Sequence, residues 1–144
     1  MDYFKGEDLI NIELLIKDNL DFYAHIDSNR KETLQEHIDR CNKYFFKIDK
    51  SKNIGSIFKN FEDLYLENAD KSSKLLFRKL LLNTINFHDI GKINPKFQSD
   101  KMNNKILNKE LFEGLGSKHS IISSIFYLDY FIEEIEKYKD IDKS

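Results

Sequence analysis

Turn-forming residues are scarce in this chain, and their scarcity is the strongest constraint on its fold. Among 144 residues there are five glycines and one proline. A protein of many short strands needs a tight turn between each pair of strands, and glycine and proline are prominent in such turns. We therefore expect an all-α protein with long helices. The length is typical of one domain, so residues 1–144 are predicted to form a single unit.

Apolar residues recur at helical spacing in five segments of the chain. The predicted helices span about residues 9–20, 34–48, 54–67, 74–90 and 118–138. The residues placed to cap or end them are Asp8, Thr33 with Glu36 as a capping box, Asp70 or Ser72, Gly91 as a left-handed stop, and Ser117. Residues 21–31 are expected to be an irregular link, and residues 92–116 a loop with one short helical piece.

The third and fifth predicted helices each have an apolar face that we expect to pack against other parts of the chain. The third helix has Ile57, Phe61, Leu64 and Tyr65 on one side. The fifth helix has the apolar face Ile121, Ile125, Leu128, Ile132 and Ile135. Because two serines and Asp129 interrupt this run, which is also shorter than the roughly 20 residues of a membrane span, it is predicted to be a core helix.

Charge and cysteine content limit the possible partners and compartments. The formal net charge is −2, so the chain lacks the overall positive field of a general nucleic-acid binder. A DNA contact is therefore expected to be local, and one lysine-rich stretch qualifies: Lys92, Lys96, Lys101, Lys105 and Lys109. The acidic start lacks the order of a secretory signal. With the single Cys41, expected to be a buried thiol, this predicts a cytoplasmic protein without a membrane partner.

The four histidines are the residues best suited to chemistry. His37 borders the apolar stripe of one predicted helix, His88 ends the central helix and His119 opens the last one, whereas His25 lies in the link. Imidazole and carboxylate groups bind transition metals, and the adjacent His88 and Asp89 present two such donors at one helix end. Each histidine taken alone is more often a hydrogen-bonded structural residue, so the metal hypothesis depends on their clustering.

Three ordered segments resemble a known family. Residues 87–98, Phe-His-Asp-Ile-Gly-Lys-Ile-Asn-Pro-Lys-Phe-Gln, are similar to the central motif of the HD nuclease domain in the helicase-nuclease of type I CRISPR systems. Residues 23–28 and 32–37 resemble that family's opening motif, and residues 118–123 resemble its third motif. The resemblance covers roughly residues 23–124 and implies an HD-domain helical bundle.

The resemblance also implies a ligand set and an activity. His37 corresponds to the ligand of the first motif, His88 and Asp89 to the central pair in which Asp89 bridges two metals, and His119 to a ligand of the second metal. The implied metals are two divalent transition ions, Mn²⁺, Fe²⁺, Ni²⁺ or Co²⁺, which suit a histidine-rich site. Such a pair activates water for hydrolysis of a phosphodiester. The implied function is cleavage of single-stranded DNA in CRISPR antiviral defence, together with a helicase domain or subunit and an effector complex.

The resemblance implies the roles of Lys92, Lys96 and His25 less directly. His88, Asp89 and Lys92 are the candidate catalytic residues, and Lys92 and Lys96 are the candidate contacts to substrate phosphates. A lysine after a helix C-terminus is also favourable for the helix dipole, so Lys92 has a structural alternative. His25 matches a family position that is structural or close to the site, and an ordinary loop histidine is an equal alternative.

The chain departs from the family pattern after His119. The family has a further histidine pair and a last aspartate beyond its third motif, and no histidine follows His119 here. We therefore expect a helical bundle that is incomplete at its C-terminus, a truncated domain with an incomplete two-metal site and no helicase part. Two alternatives to the nuclease remain open: an HD phosphohydrolase acting on nucleotides, and a catalytically incomplete interaction module.

Overall fold

The computed structural model describes residues 3–16, 21–105 and 118–139. Within these ranges helices dominate, as the all-α prediction requires, and a two-stranded antiparallel sheet is added. The strands are β1 (Tyr23–Ile26) and β2 (Lys31–Thr33), and the α-helices are α1 (Leu34–Lys52), α2 (Ile54–Tyr65), α3 (Lys71–Phe87), α4 (Pro95–Met102) and α5 (His119–Lys139). Two 3₁₀ helices cover Ile12–Leu14 and Ile90–Ile93.

Helix α1 begins at the predicted capping box. The hydroxyl of Thr33 accepts the amide N–H of Glu36 at 3.2 Å, and the Glu36 carboxylate accepts the amide N–H of Thr33 at 3.0 Å. The helix extends past the predicted residue 48 to Lys52 and ends at Asn53, whose φ of 55° is left-handed. Asn53 also precedes α2, so one residue makes the corner between the two helices.

Helix α3 has one of its two predicted caps, Asp70, but it begins at Lys71 rather than near Lys74 and ends at Phe87 rather than near Ile90. The Asp70 carboxylate accepts the amide N–H of Ser73 at 2.7 Å and caps the helix. Gly91 is not a left-handed stop: it lies inside the second 3₁₀ helix, and it is not among the residues with positive φ. Instead, a Cβ on Gly91 would lie 2.0 Å from the carbonyl oxygen of His119 and 2.7 Å from the amide nitrogen of Ser123. Glycine is needed here because α5 approaches so closely.

The predicted first helix is wrong for the described residues. Residues 9–11 are irregular, and a single 3₁₀ turn follows, capped by Asn11 rather than Asp8. Two buried asparagines of α3 hold this segment: Asn83 accepts the amide N–H of Ile10 at 2.9 Å, and Asn86 donates to the carbonyl of Ile10 at 2.8 Å. Backbone groups bound to these side chains are diverted from a helical ladder. Residues 17–20 lie outside the described part of the chain.

The predicted link contains the β1–β2 hairpin. Tyr23 pairs with Thr33, and His25 pairs with Glu32. The free edge of β1 is bound by the side chain of Gln98 on α4, which accepts the amide N–H of Tyr23 at 3.0 Å and donates to its carbonyl at 2.9 Å. Gln98 also donates to the carbonyl of Lys92 at 2.7 Å, so it joins the hairpin to the central motif. Helix α4 is the short helical piece expected in the loop.

The core lies between α1, α3, α5 and the hairpin, and it is built from these buried residues: Ile12, Phe22, Ala24, Leu34, Ile38, Phe87, Ile90 and Phe131. The predicted core face of α5 is wrong at four of its five positions: Ile121, Ile125, Leu128 and Ile132 are exposed, and Ile135 packs against the core. The buried positions of that helix are Ile122, Ser123 and Phe131. The apolar side of α2 is exposed as well, with Leu64 70% accessible. Ser117, the predicted cap of α5, lies outside the described residues.

In residues 3–16, 21–105 and 118–139, no helix combines the length and the apolar character required to cross a membrane.

Candidate metal centre

The carboxylate of Asp89 is the centre of a cluster of imidazoles. Its Oδ2 lies 2.9 Å from Nε2 of His37 and 3.4 Å from Nε2 of His88. Its Oδ1 lies 3.4 Å from Nε2 of His119. The structure therefore brings together the four residues that the resemblance names as ligands, and the two oxygens of one carboxylate face different histidines.

These side chains come from three helix ends that meet at one point. His37 is in the first turn of α1, His88 directly follows α3, and His119 is the first residue of α5. The amide N–H of Gly91 donates to the hydroxyl of Ser123 at 2.9 Å, which fixes the start of α5 on the segment after Asp89. The ring of His119 also packs against Phe97 of α4, with ring centroids 5.1 Å apart.

Neighbouring groups orient the histidines so that Nε2 faces Asp89. Nδ1 of His88 lies 2.5 Å from the carbonyl oxygen of Ile85, to which it donates in the tautomer that leaves Nε2 free to bind a metal. Nδ1 of His37 faces the carboxylate of Glu32 at 3.7 Å. Glu32 is buried in β2 and forms an ion pair with Arg40 at 3.0 Å. A carboxylate on the far side of a ligand histidine raises its basicity and limits its rotation.

The electrostatics favour an ionised Asp89. Burial by itself raises the pKa of Asp89, but hydrogen bonds and charges from His88 and Lys92 outweigh burial, so the pKa is well below its usual range. The hydrogen bond to Asp89 raises the pKa of His88. Burial lowers the pKa of His37, which favours the neutral, ligand-competent imidazole.

Lys92 is part of this cluster and is buried. Its ammonium donates to Asp89 Oδ2 at 2.8 Å and to the carbonyl of Ala24 at 3.2 Å, and 6% of the side chain is accessible. A direct contact with a substrate phosphate would have to break this ion pair. Lys96 forms an ion pair with Asp100 at 2.8 Å, whereas Lys101 and Lys105 are exposed. Lys109 lies outside the described residues.

The donor distances fit a metal ion. An ion bonded to nitrogen and oxygen at about 2.1 Å holds its donors about 3.0 Å apart at right angles and about 3.4 Å apart in a tetrahedron. The distances of 2.9 and 3.4 Å from Asp89 Oδ2 to His37 and His88 match these values. One carboxylate and two imidazoles form a donor set that transition metals accept.

Two residues near the site, Cys41 and Glu32, were not predicted as its members, whereas His25 was expected to be structural or close to the site. Cys41, expected to be a buried thiol, is half-buried, and its sulfur lies 3.7 Å from Nε2 of His37 and 4.0 Å from Nε2 of His88. Burial and the charges of Asp89 and Glu32 raise the pKa of the Cys41 thiol. Glu32 is buried beside His37, and the ring centroid of His25 lies 4.8 Å from that of His37. The spacing of Cys41 four residues after His37 was a usable signal, because such residues share a helix face.

No family model, curated protein or solved structure matches this chain.

Proposed function

We propose that this protein is a metal-dependent phosphodiesterase of the HD type that cleaves single-stranded DNA. The observation that carries the proposal is the convergence of His37, His88 and His119 on the two oxygens of Asp89. Three helix ends supply these groups, and the same residues are the ones that the sequence resemblance selects. The HD helical bundle, the CRISPR context and the helicase and effector partners belong to this proposal through that resemblance.

The described residues divide the metal ligands between the two carboxylate oxygens. His37, His88 and Asp89 Oδ2 would hold the first ion, and His119 with Asp89 Oδ1 would contribute to the second. The candidate ions are Mn²⁺, Fe²⁺, Ni²⁺ and Co²⁺, and a bound pair supplies an activated water and charge neutralisation for the phosphodiester oxygens. Glu32 and the carbonyl of Ile85 keep the rings of His37 and His88 turned toward the site.

Lys92 supplies the positive charge next to Asp89. A buried carboxylate is costly without a partner, and the ammonium at 2.8 Å offsets that cost in the absence of a metal. We propose that this ion pair holds the Asp89 carboxylate in place for metal binding and that phosphate contact by Lys92 follows rearrangement of the pair. The exposed Lys101 and Lys105 are the local cations for the DNA backbone.

The test is cleavage of circular single-stranded DNA by the full chain loaded with Mn²⁺, Co²⁺, Ni²⁺ or anaerobic Fe²⁺. Asp89→Asn and His88→Ala are expected to lower the rate by at least about 100-fold, since each removes a proposed ligand rather than a neighbour of one. Asp63→Asn is the matched control, because Asp63 is an exposed carboxylate on α2 that pairs with Lys59. Equal loss in the control, or cleavage that survives in Asp89→Asn, contradicts the proposed site.

Nucleotide hydrolysis is the second candidate function. A recess of about 450 Å³ opens beside His88 and is lined by hydroxyl and aromatic side chains, including Ser120 and Tyr127. This volume is in the range of small-molecule pockets, roughly 300–1,000 Å³. Turnover of nucleotides or cyclic nucleotides without DNA cleavage would select this function. If neither substrate is hydrolysed with any of the four metals, the catalytic proposal is wrong and an interaction module is the better description.

A further inference from the structure

The single cysteine of the chain lies next to the proposed metal ligands. Cys41 is one helical turn after His37 on α1, so both side chains project from the same face. The donor atoms of His37, Cys41 and His88 lie within 4.8 Å of one another. The sulfur is closest to Nε2 of each histidine, the same nitrogen atoms that face Asp89 Oδ2.

The sulfur distances match a shared ion. In a tetrahedral site with about 2.1 Å to nitrogen and about 2.3 Å to sulfur, nitrogen and sulfur donors lie about 3.6 Å apart. The distance from Cys41 Sγ to Nε2 of His37, 3.7 Å, is close to this value, and the distance to Nε2 of His88, 4.0 Å, exceeds it by about 0.4 Å. The sulfur of Cys41 and the two Nε2 atoms therefore form one compact donor group, and Asp89 Oδ2 lies 2.9 and 3.4 Å from the same two nitrogens.

We propose that Cys41 is a thiolate ligand of the ion held by His37, His88 and Asp89 Oδ2. This inference rests on the proposed function, because it concerns the same ion, but it changes which metals that ion is expected to be. A thiolate is a soft ligand and favours Zn²⁺, Co²⁺ and Fe²⁺ over Mn²⁺. With His37, His88, Cys41 and Asp89 Oδ2 as ligands, the ion would have four protein donors, and water would enter as a fifth ligand.

The alternative is an ordinary contact in which the Cys41 thiol donates to the free nitrogen of His37. That contact needs no metal, and it predicts that Cys41 has the same environment in the metal-free and metal-loaded protein. The two descriptions therefore differ in a property of the sulfur itself, which spectroscopy and thiol chemistry measure independently of catalysis.

The first experiment is a Co²⁺ titration of the full chain and of Cys41→Ser, followed by absorption spectroscopy. A thiolate bound to Co²⁺ gives a near-ultraviolet charge-transfer band, whereas the visible ligand-field bands arise with any tetrahedral ligand set. We expect both sets of bands in the natural chain and the visible bands alone in Cys41→Ser. Visible bands without charge transfer in the natural chain overturn the role of Cys41 and leave the proposed function standing. Absence of Co²⁺ binding in both proteins overturns the metal centre, and the proposed function with it.

The second experiment uses the natural chain and does not depend on whether Cys41→Ser folds. Because the chain has one cysteine, alkylation by iodoacetamide reports on Cys41 alone. At alkaline pH, where the metal-free Cys41 sulfur ionises despite its raised pKa, saturating Zn²⁺ is expected to slow alkylation by more than about tenfold, since a metal-bound sulfur is a poorer nucleophile than a free thiolate. Asp89→Asn, with its ligand set weakened, should need more Zn²⁺ for the same protection. Equal alkylation rates with and without Zn²⁺, while Zn²⁺ is shown to bind, overturn the proposal.

Discussion

Substitution of Gly91 by alanine tests how the structure assembles the candidate site. The backbone of Gly91 is in a 3₁₀ helix without positive φ, so alanine is acceptable to the backbone itself. The obstacle is the start of α5, because the new Cβ would lie 2.0 Å from the carbonyl oxygen of His119. Ordinary contact begins at 3.4 Å, so α5 must retreat by the difference, about 1.4 Å.

This displacement has a cost in stability and a consequence for the site. Overpacking of this kind typically costs about 1–3 kcal/mol. For a chain of this length, about 1 kcal/mol lowers the melting temperature by about 3–4 °C, so the expected decrease is about 3–12 °C. Because the carbonyl that must move belongs to His119, its imidazole also leaves the 3.4 Å contact with Asp89 Oδ1. The His37 and His88 contacts with Asp89 do not depend on α5.

Thermal unfolding and metal titration of Gly91→Ala measure the two effects separately. We expect weaker metal binding at Asp89 Oδ1, where His119 would contribute a ligand, in addition to the lower melting temperature. Gly55→Ala is the matched control, since its Cβ would lie 2.8 Å from the Cβ of Tyr3, outside the metal centre. The control should lose stability without losing metal. An unchanged melting temperature and unchanged metal content in Gly91→Ala would refute the close-approach reasoning.

Two further predictions concern buried polar groups away from the metal centre. Asn86→Ala removes the hydrogen-bond donor to the carbonyl of Ile10 and the acceptor of the Asn42 amide at 2.7 Å, which leaves buried groups unpaired. We expect the free energy of unfolding, measured by urea denaturation, to decrease by about 1–3 kcal/mol. An unchanged midpoint would contradict this prediction. Glu62 is buried and binds Arg78 through two hydrogen bonds of 2.7 Å, the main reason its pKa is lowered from 4.5. Because the pKa of Glu62 is depressed in the folded state, its stabilising contribution is present above about pH 4.5 and is lost as the pH falls through the folded pKa. We expect Arg78→Met to lower the free energy of unfolding by about 3–5 kcal/mol at neutral pH and to weaken its dependence on acid. The melting temperature of both proteins as a function of pH tests this. Parallel curves would show that the ion pair is not responsible.

The caps of α1 and α3 could be predicted because their signals are local. The capping box of Thr33 with Glu36 and the cap at Asp70 bind amides within three residues of themselves, so a short stretch of sequence contains both partners. The hairpin and the N-terminal segment could not be predicted in this way. Their backbone groups bind Gln98, Asn83 and Asn86, which are more than 70 residues distant in the chain.

The orientation of α5 was missed for a different reason. Apolar residues lie on more than one side of this helix, and periodicity alone does not decide which side meets the core. The orientation of α5 depends on Gly91. Because Gly91 has no side chain, the backbone of His119 and Ser123 can pack against the 3₁₀ helix. In the resulting orientation, Ile122, Ser123 and Phe131 are buried.

The candidate ligands were named through a resemblance, and the structure indicates why the motif contains more than its chemical residues. Of residues 87–98, His88, Asp89 and Lys92 face the site, whereas Phe87 and Ile90 belong to the core. Asn94 caps α4, and Gln98 binds the hairpin that precedes His37. Most residues of the motif therefore stabilise the contact between three helix ends. A substitution among them can abolish activity by displacing the metal ligands, even though no ligand is removed. Kinetic effects of variants in this run are attributable to chemistry only where the unfolding free energy is unchanged. Asp89→Asn keeps the size of the side chain but leaves the buried ammonium of Lys92 without its carboxylate partner, so its unfolding free energy must be measured before its rate is interpreted.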